Sequence, residues 1–259
     1  ARLADLLAQR VDLTGAARRL DEANDRVGAD RGLLMRLLDL HQQRGDADGQ
    51  IAALDRLASV MDPDEAADAL VSAARLAIDA HKAPQEARIR LERALALVPG
   101  QVEALDLLEG VYDSLNESNA LFAMLQTRVT GDEPVAARVE AAMRAALVAE
   151  MQMSDHERAL ALLHQAAQID PSAVRVLDEI IRLTYQAEDW PGLALALQTK
   201  ADRLDEDPAG RASLLTEALT IADERLHDHP LVAELASEIL GIDPDHPVAL
   251  LAQAGLLER

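Results

Sequence analysis

Histidine and aspartate side chains that could hold a metal are concentrated near the end of the sequence. His227, His229 and His246 lie among four aspartates. Imidazole and carboxylate groups are common zinc ligands. Because their spacing matches no recognised motif and the segment falls between two predicted helices, we interpret these side chains as solvated loop residues and predict no metal site.

Carboxylates are abundant, but no catalytic signature surrounds them. The 259 residues contain no Gly-rich phosphate loop, no nucleophile elbow and no histidine–carboxylate motif. The carboxylates fall where solvated helix faces are expected. We therefore predict a protein that is not an enzyme and that binds no cofactor.

The excess of acid limits the partners that the chain can have. The formal net charge is −21, and there are only two lysines, Lys82 and Lys200, beside 23 arginines. Such a surface repels phosphate backbones, so we predict no nucleic-acid binding. The preference for arginine is typical of a GC-rich bacterial genome.

The composition also argues against a membrane span and a disulfide framework. Hydrophobic residues make up 49% of the chain and aromatic residues only 2%, so alanine and leucine must form the core. No apolar run reaches the roughly 20 residues that cross a bilayer, and there is no cysteine. We expect a soluble protein, for which a cytoplasmic location is favoured.

The elements that must position the charged residues repeat along the chain. Ala159, Leu163 and Ala166 share one face of a predicted helix, Pro171 ends it, and a second helix follows. The same pattern occurs 72 residues earlier, at Ala87, Leu91, Ala94 and Pro99. The chain is therefore predicted to consist of repeated helical hairpins.

Prolines mark half of this period. Spacings of 36, 35, 37, 37 and 36 residues separate Pro63, Pro99, Pro134, Pro171, Pro208 and Pro244. A period of this size is the signature of a solenoid. We predict an all-α fold, a right-handed α-solenoid of stacked antiparallel helix hairpins, with about 36 residues per unit and a 72-residue super-repeat. No linker interrupts it, so residues 1–259 are predicted to form a single array.

Turn chemistry places the boundaries of fifteen predicted helices. We predict that Thr14, Ser154 and Asp170 cap the helices that follow them. Residues 208–225 are predicted to form one helix, and the last helix is predicted to start at Pro244.

The hairpins resemble the tetratricopeptide repeat. Leu105, Leu108 and Tyr112 match the first-helix signature of that family, and the alanine–leucine–alanine–proline pattern matches its second-helix signature. The resemblance covers nearly the whole chain at low stringency. It departs from the family in its longer unit, in the missing first-helix tryptophan and in Glu109, which stands at the glycine position.

The resemblance implies a concave groove, lined by the first helices, that binds partner proteins. The matching positions carry Glu103, Asp106, Asp113, Asp178, Arg182 and Tyr185. We predict an acidic groove for a protein or an extended basic peptide, with Tyr185 as an apolar anchor. The alternative is a solvated polar face without a partner.

The leading hypothesis for the chain is a non-catalytic scaffold for protein–protein interaction. The alternatives are a structural spacer that self-associates through its open ends, and a regulatory fragment of a larger enzyme. Residues 1–13 read as a helix without its own start, and the last predicted helix is largely apolar. Because solenoids cover their ends with polar units, we expect the array to continue in a longer protein or to dock end-on.

Overall fold

The computed structural model describes residues 12–204 and 206–257, and only the backbone of residue 257. All regular elements in this part of the chain are helical, and none of these helices is long and apolar enough to cross a lipid bilayer. The first six are α1 Leu13–Val27, α2 Arg31–Arg44, α3 Ala47–Leu57, α4 Pro63–His81, α5 Pro84–Leu97 and α6 Val102–Leu115. The other α-helices are α7 Ser118–Thr130, α8 Val135–Met151, α9 His156–Ile169, α10 Val174–Gln186, α11 Trp190–Ala201, α12 Pro208–Ile221, α13 His229–Ile242 and α14 Pro247–Leu257. The all-α prediction is confirmed for these residues, and the helix predicted within residues 1–13 falls almost wholly outside them.

The chain divides into two compact units, one that ends at Glu117 and one that begins at Ser118. In the first unit each helix from α1 to α6 packs on the next, and α4 also touches α6. In the second unit each helix from α7 to α14 packs on the next. Short turns between packed neighbours make them antiparallel hairpins, so the predicted helical-hairpin solenoid is confirmed. A single array over residues 1–259 stays a prediction.

Aspartate caps many of the described helices. In eight of them the Asp side chain accepts a hydrogen bond from the backbone N–H three residues on, which satisfies a donor that the helix start leaves without a partner. The caps are Asp12, Asp30, Asp46, Asp62, Asp155, Asp189, Asp207 and Asp228. Two predicted caps are wrong: Thr14 lies inside α1, and Ser154 lies before the cap of α9 with a left-handed φ of 54°.

Two turns after a helix also differ from the prediction. Asp170 ends α9 instead of capping α10, because its Oδ1 accepts hydrogen bonds from the N–H and the hydroxyl of Ser172 at 2.9 and 2.6 Å. Asp243 likewise ends α13, and Pro244 lies in the turn that follows. The last helix therefore starts at Pro247, three residues later than predicted.

The helix predicted over residues 208–225 changes its hydrogen bonding near its end. It is α-helical up to Ile221 and continues as a π-helical segment, Ala222–Leu226. His227 then takes a left-handed φ of 52° and ends the segment. The wider π turn changes the direction in which the last side chains project.

Alanine and leucine form the core of each unit. Ala94 in α5 and Ala166 in α9 have no exposed surface, as predicted, and Leu91 and Leu163 in the same helices are also buried. The small side chains let neighbouring helices approach closely while leucine fills the space between them. Tyr112 is 8% exposed and belongs to this core.

Ion pairs join alternate helices at a spacing of 35 residues. They are Asp21–Arg56, Asp55–Arg90 and Glu140–Arg175, with shortest distances of 2.9, 2.8 and 2.6 Å. An exposed pair contributes about 1 kcal/mol or less. Their repetition nevertheless favours one register of the helices that they join, so part of the acidity is structural.

Candidate protein-interaction site

The predicted acidic residues of the first unit lie on the exposed side of α6. Glu103, Asp106 and Asp113 are all exposed. Arg75 of α4 donates a hydrogen bond to Glu103, and this ion pair links the first helices of two successive hairpins. Part of the negative charge on this face is therefore compensated within the chain.

In the second unit the predicted Asp178 and Arg182 lie on α10, and both form ion pairs. Asp178 accepts a hydrogen bond from Lys200 Nζ at 2.5 Å. Arg182 donates from its two terminal nitrogens to Glu150 at 2.6 and 2.8 Å, and from Nε to Glu179 at 2.8 Å. Three polar contacts of this kind hold the guanidinium in place.

The Glu150 carboxylate is the least accessible member of this network. Its side chain is 8% exposed. The hydrogen bond from Arg182 outweighs desolvation and holds the pKa of Glu150 below its ordinary value. Because each partner stabilises the other, the Arg182 guanidinium supports the packing of α8 and α10, and its contact with a partner protein stays a prediction.

Tyr185, the predicted apolar anchor, is an exposed aromatic residue on a firm support. It is 62% exposed, and its ring meets Trp190 edge to face with centroids 6.2 Å apart. Trp190 packs against the core of the second unit, and the Arg225 guanidinium lies 4.9 Å from its ring centroid. The π-helical segment that carries Arg225 thus helps to fix the aromatic pair.

An apolar cleft of about 440 Å³ opens between α4 and α6 in the first unit. Its walls are formed by Ile78, Pro84, Leu107 and Val111, and its exposed margin by Lys82, Asp106, Gly110 and Ser114. This volume lies within the range of small binding sites in proteins. Of the predicted site residues, Asp106 is the one that lies at the cleft.

A second, smaller cleft of about 210 Å³ lies between α8 and α10 in the second unit. Its lining includes the charged residues Glu140, Arg144, Glu150, Glu179 and Arg182. The Arg182 network described above crosses it. The other lining residues are apolar, among them Met143, Leu147 and Leu163. This cleft therefore combines an ion network with apolar walls, whereas the walls of the cleft in the first unit are apolar alone.

Of the histidines near the end of the chain, His227 and His246 lie in turns and His229 begins α13. His227 Nδ1 lies 2.8 Å from the backbone oxygen of Asp223, four residues earlier. Among the described residues, no group of three or more histidine, aspartate or glutamate side chains could hold a metal ion.

The apolar cleft was missed by reasoning from the sequence. Ile78 and Leu107 are 29 residues apart, and only the packing of α4 on α6 brings them together. One signal was present: Gly110 lies inside a helix, where glycine costs about 1 kcal/mol relative to alanine. A Cβ at Gly110 would meet nothing within 4 Å, so packing does not require the glycine.

Comparison with known proteins bears on the fold. The sequence matches no protein-family model and no curated protein. A chain of the Naa15/Naa10 complex bound to HypK-THB is 12% identical with a TM-score of 0.51, and the match covers 99% of this chain and 38% of that one. The C-terminal part of a TPR repeat-containing protein from Cytophaga hutchinsonii is 11% identical with a TM-score of 0.47, covering 97% and 98%. PilF from Pseudomonas aeruginosa is 17% identical with a TM-score of 0.42, covering 89% and 99%.

The signature positions, the hairpin packing and the likeness to the Naa15/Naa10 chain define the class of protein. The chain has a tetratricopeptide-like helical-repeat fold. The family resemblance of the sequence is thereby confirmed at the level of fold.

Proposed function

We propose that the chain is a non-catalytic scaffold that binds a partner protein, or an extended net-positive segment of one, on the first helices of its hairpins. The observation that carries this proposal is the cleft between α4 and α6, which has apolar walls and a charged margin. Burying one large apolar side chain stabilises a complex by about 1.5–3 kcal/mol. Such a recess gives a partner affinity that a solvated polar face does not.

The negative charge has a different role in this proposal. Asp106 lies at the margin of the cleft, and Glu103 and Asp113 are exposed on the same helix. An exposed ion pair gains only about 0.2–1 kcal/mol. In this proposal the carboxylates orient a cationic segment and speed its association with the groove. Most of the affinity comes from apolar contacts.

The test starts from a partner captured by cross-linking in cells of the source organism. Its affinity for the purified chain is then measured by calorimetry over a range of salt concentrations. We expect Asp106→Lys and Asp178→Lys each to weaken binding by about two- to tenfold and to flatten the salt dependence. The control is Glu157→Lys, which reverses an exposed charge on the second helix α9. Unchanged binding and salt dependence in both variants would show that the acidity serves solubility alone.

Self-association is a second candidate function, and one observation favours it. On α14, Val248, Leu250 and Leu251 are 39%, 45% and 72% exposed. An apolar helix face of this kind is a common contact between protein copies. Sedimentation equilibrium should show concentration-dependent association that Leu251→Glu abolishes. A monomer at all concentrations would exclude this function for the chain.

A further inference from the structure

The clefts of the two units are built from equivalent positions in the 72-residue super-repeat. In the apolar cleft the positions are Ile78, Leu107, Gly110 and Val111; 72 residues later they are Glu150, Glu179, Arg182 and Leu183. Each set lies on the first helices of two hairpins, α4 and α6 in the first unit and α8 and α10 in the second. The chain therefore contains two versions of one groove, so their side chains can be compared position by position.

The second version is crossed by charged side chains. Arg182 spans the groove between Glu179 on its own helix and Glu150 on α8, with hydrogen bonds of 2.6–2.8 Å. In the first version the equivalent of this arginine is Gly110, and the equivalents of the two glutamates are Leu107 and Ile78. At these positions the first version has two aliphatic side chains and a glycine where the second has an ion network. The first cleft measures about 440 Å³, and the second, which shares these positions and extends further along α8, about 210 Å³.

Gly110 lies at the margin of the recess and has no side chain to fill it. It is exposed on α6, and no neighbour would obstruct an added Cβ. Alanine would stabilise the helix by about 1 kcal/mol, so the glycine brings no advantage to the fold. The glycine leaves the margin of the cleft beside Leu107 and Val111 without a side chain.

We infer that this cleft is a subsite for one large apolar side chain of the partner, next to a lysine or arginine of the same partner segment. The inference rests on the proposed scaffold function and narrows its ligand. The walls remove the apolar side chain from water, as in other binding pockets. The margin has opposite charges: Asp106 meets the neighbouring cation, and Lys82 can donate to a carbonyl or carboxylate of the same segment. Leucine, methionine and phenylalanine have the size and polarity that the subsite accepts.

The experiment selects ligands from a random peptide library displayed on phage, with the purified whole chain as bait. We expect the enriched peptides to share a large apolar residue beside a lysine or arginine. Fluorescence anisotropy of a labelled enriched peptide then measures its affinity. Alanine in place of the apolar residue should weaken binding by about tenfold or more, in line with the burial of one side chain.

Filling the cleft gives the decisive variants. Gly110→Leu should weaken the peptide about tenfold or more, while Gly110→Ala, which leaves most of the space, should bind like the parent. The triple replacement Ile78→Glu, Leu107→Glu, Gly110→Arg copies the ion network of the second cleft and should abolish binding. The matched control is Gly241→Leu, at another exposed helical glycine with open space around it. Far-ultraviolet circular dichroism confirms that each variant keeps its helices.

Three results would overturn the inference. The first is a set of enriched peptides without a large apolar residue, and the second is peptide binding that Gly110→Leu leaves unchanged. The third is a parallel selection on Gly110→Leu that enriches the same peptides as the parent chain does. The captured partner separates this inference from the proposed function. If Asp106→Lys weakens that partner and Gly110→Leu does not, the scaffold proposal stands and the subsite is wrong. If neither variant weakens it, the partner binds elsewhere on the chain, and both the subsite and the acidic groove are wrong.

Discussion

Replacing a helical glycine by alanine should have opposite effects at two positions in the first unit. Alanine is favoured over glycine in a helix by about 1 kcal/mol. At Gly110 the new methyl group meets nothing within 4 Å, so Gly110→Ala should stabilise the unit by most of that amount. At Gly49, an ideal Cβ would lie 2.0 Å from Nδ1 of His41, which is far inside van der Waals contact.

The clash at Gly49 falls on a residue that cannot easily move. His41 is 8% exposed, and its Nδ1 lies 2.9 Å from Oδ2 of Asp46, whose other oxygen caps α3. Overpacking costs about 1–3 kcal/mol, and a disturbed cap costs about 1 kcal/mol more. After the gain of about 1 kcal/mol in helix propensity, we expect Gly49→Ala to destabilise the unit by about 1–3 kcal/mol.

Amide hydrogen exchange followed by mass spectrometry is the assay, because a chain of two compact units does not guarantee a single two-state transition. Gly49→Ala should speed exchange in α2 and α3, and Gly110→Ala should slow it in α6. Parent-like protection of α2 and α3 in Gly49→Ala would refute the placement of His41 against the start of α3.

Three other outcomes follow from buried groups. Desolvation raises the pKa of Tyr112 to about 12. In Tyr185→Phe, where Tyr112 is the remaining tyrosine, the phenolate absorbance should therefore appear with that midpoint. The stability that the protonated group adds below its ordinary pKa of 10.0 should be lost as the pH rises from 10.0 to about 12. Ala166→Leu should cost roughly 1–3 kcal/mol in thermal unfolding, because Ala166 has no exposed surface; a parent-like melting temperature would contradict this. Because the pKa of Glu150 is lowered, its carboxylate adds stability at pH values above its ordinary pKa of 4.5, and this stability is lost as the pH falls through the lowered pKa. Urea unfolding midpoints measured between pH 3 and 7 should show that Arg182→Gln removes this acid sensitivity.

The repeat and most helix positions could be predicted from the sequence because they depend on local chemistry. Pro63 and Pro84 begin helices since proline suits the first turn, and Gly45 ends α2 with a left-handed φ of 64°. The wrong caps arose where two candidates compete within two residues, as at Asp12 and Thr14. Backbone conformation decides between them, and residue type alone does not show it.

The candidate site was predicted only in part, because its chemistry depends on contacts between hairpins. Position in the repeat identified Asp106 and Asp178 as equivalent groove residues and placed Arg182 on the same groove. It could not show that Arg182 is held by Glu150, 32 residues away, or that Ile78 faces Leu107 across a cleft. A missing side chain at one position and an ion network at its equivalent became visible only when the helices were packed.

The net charge of −21 is therefore a poor guide to where a partner binds. Aspartate caps and ion pairs between helices occupy many of the carboxylates, and those groups act on the fold. Arg75 and Glu103 still pair between α4 and α6, but the groove at Gly110 has an apolar recess where the equivalent groove has the Arg182 network. In a helical-repeat protein as acidic as this one, the departure from the repeated ionic pattern is a stronger indication of a binding site than the acidity itself.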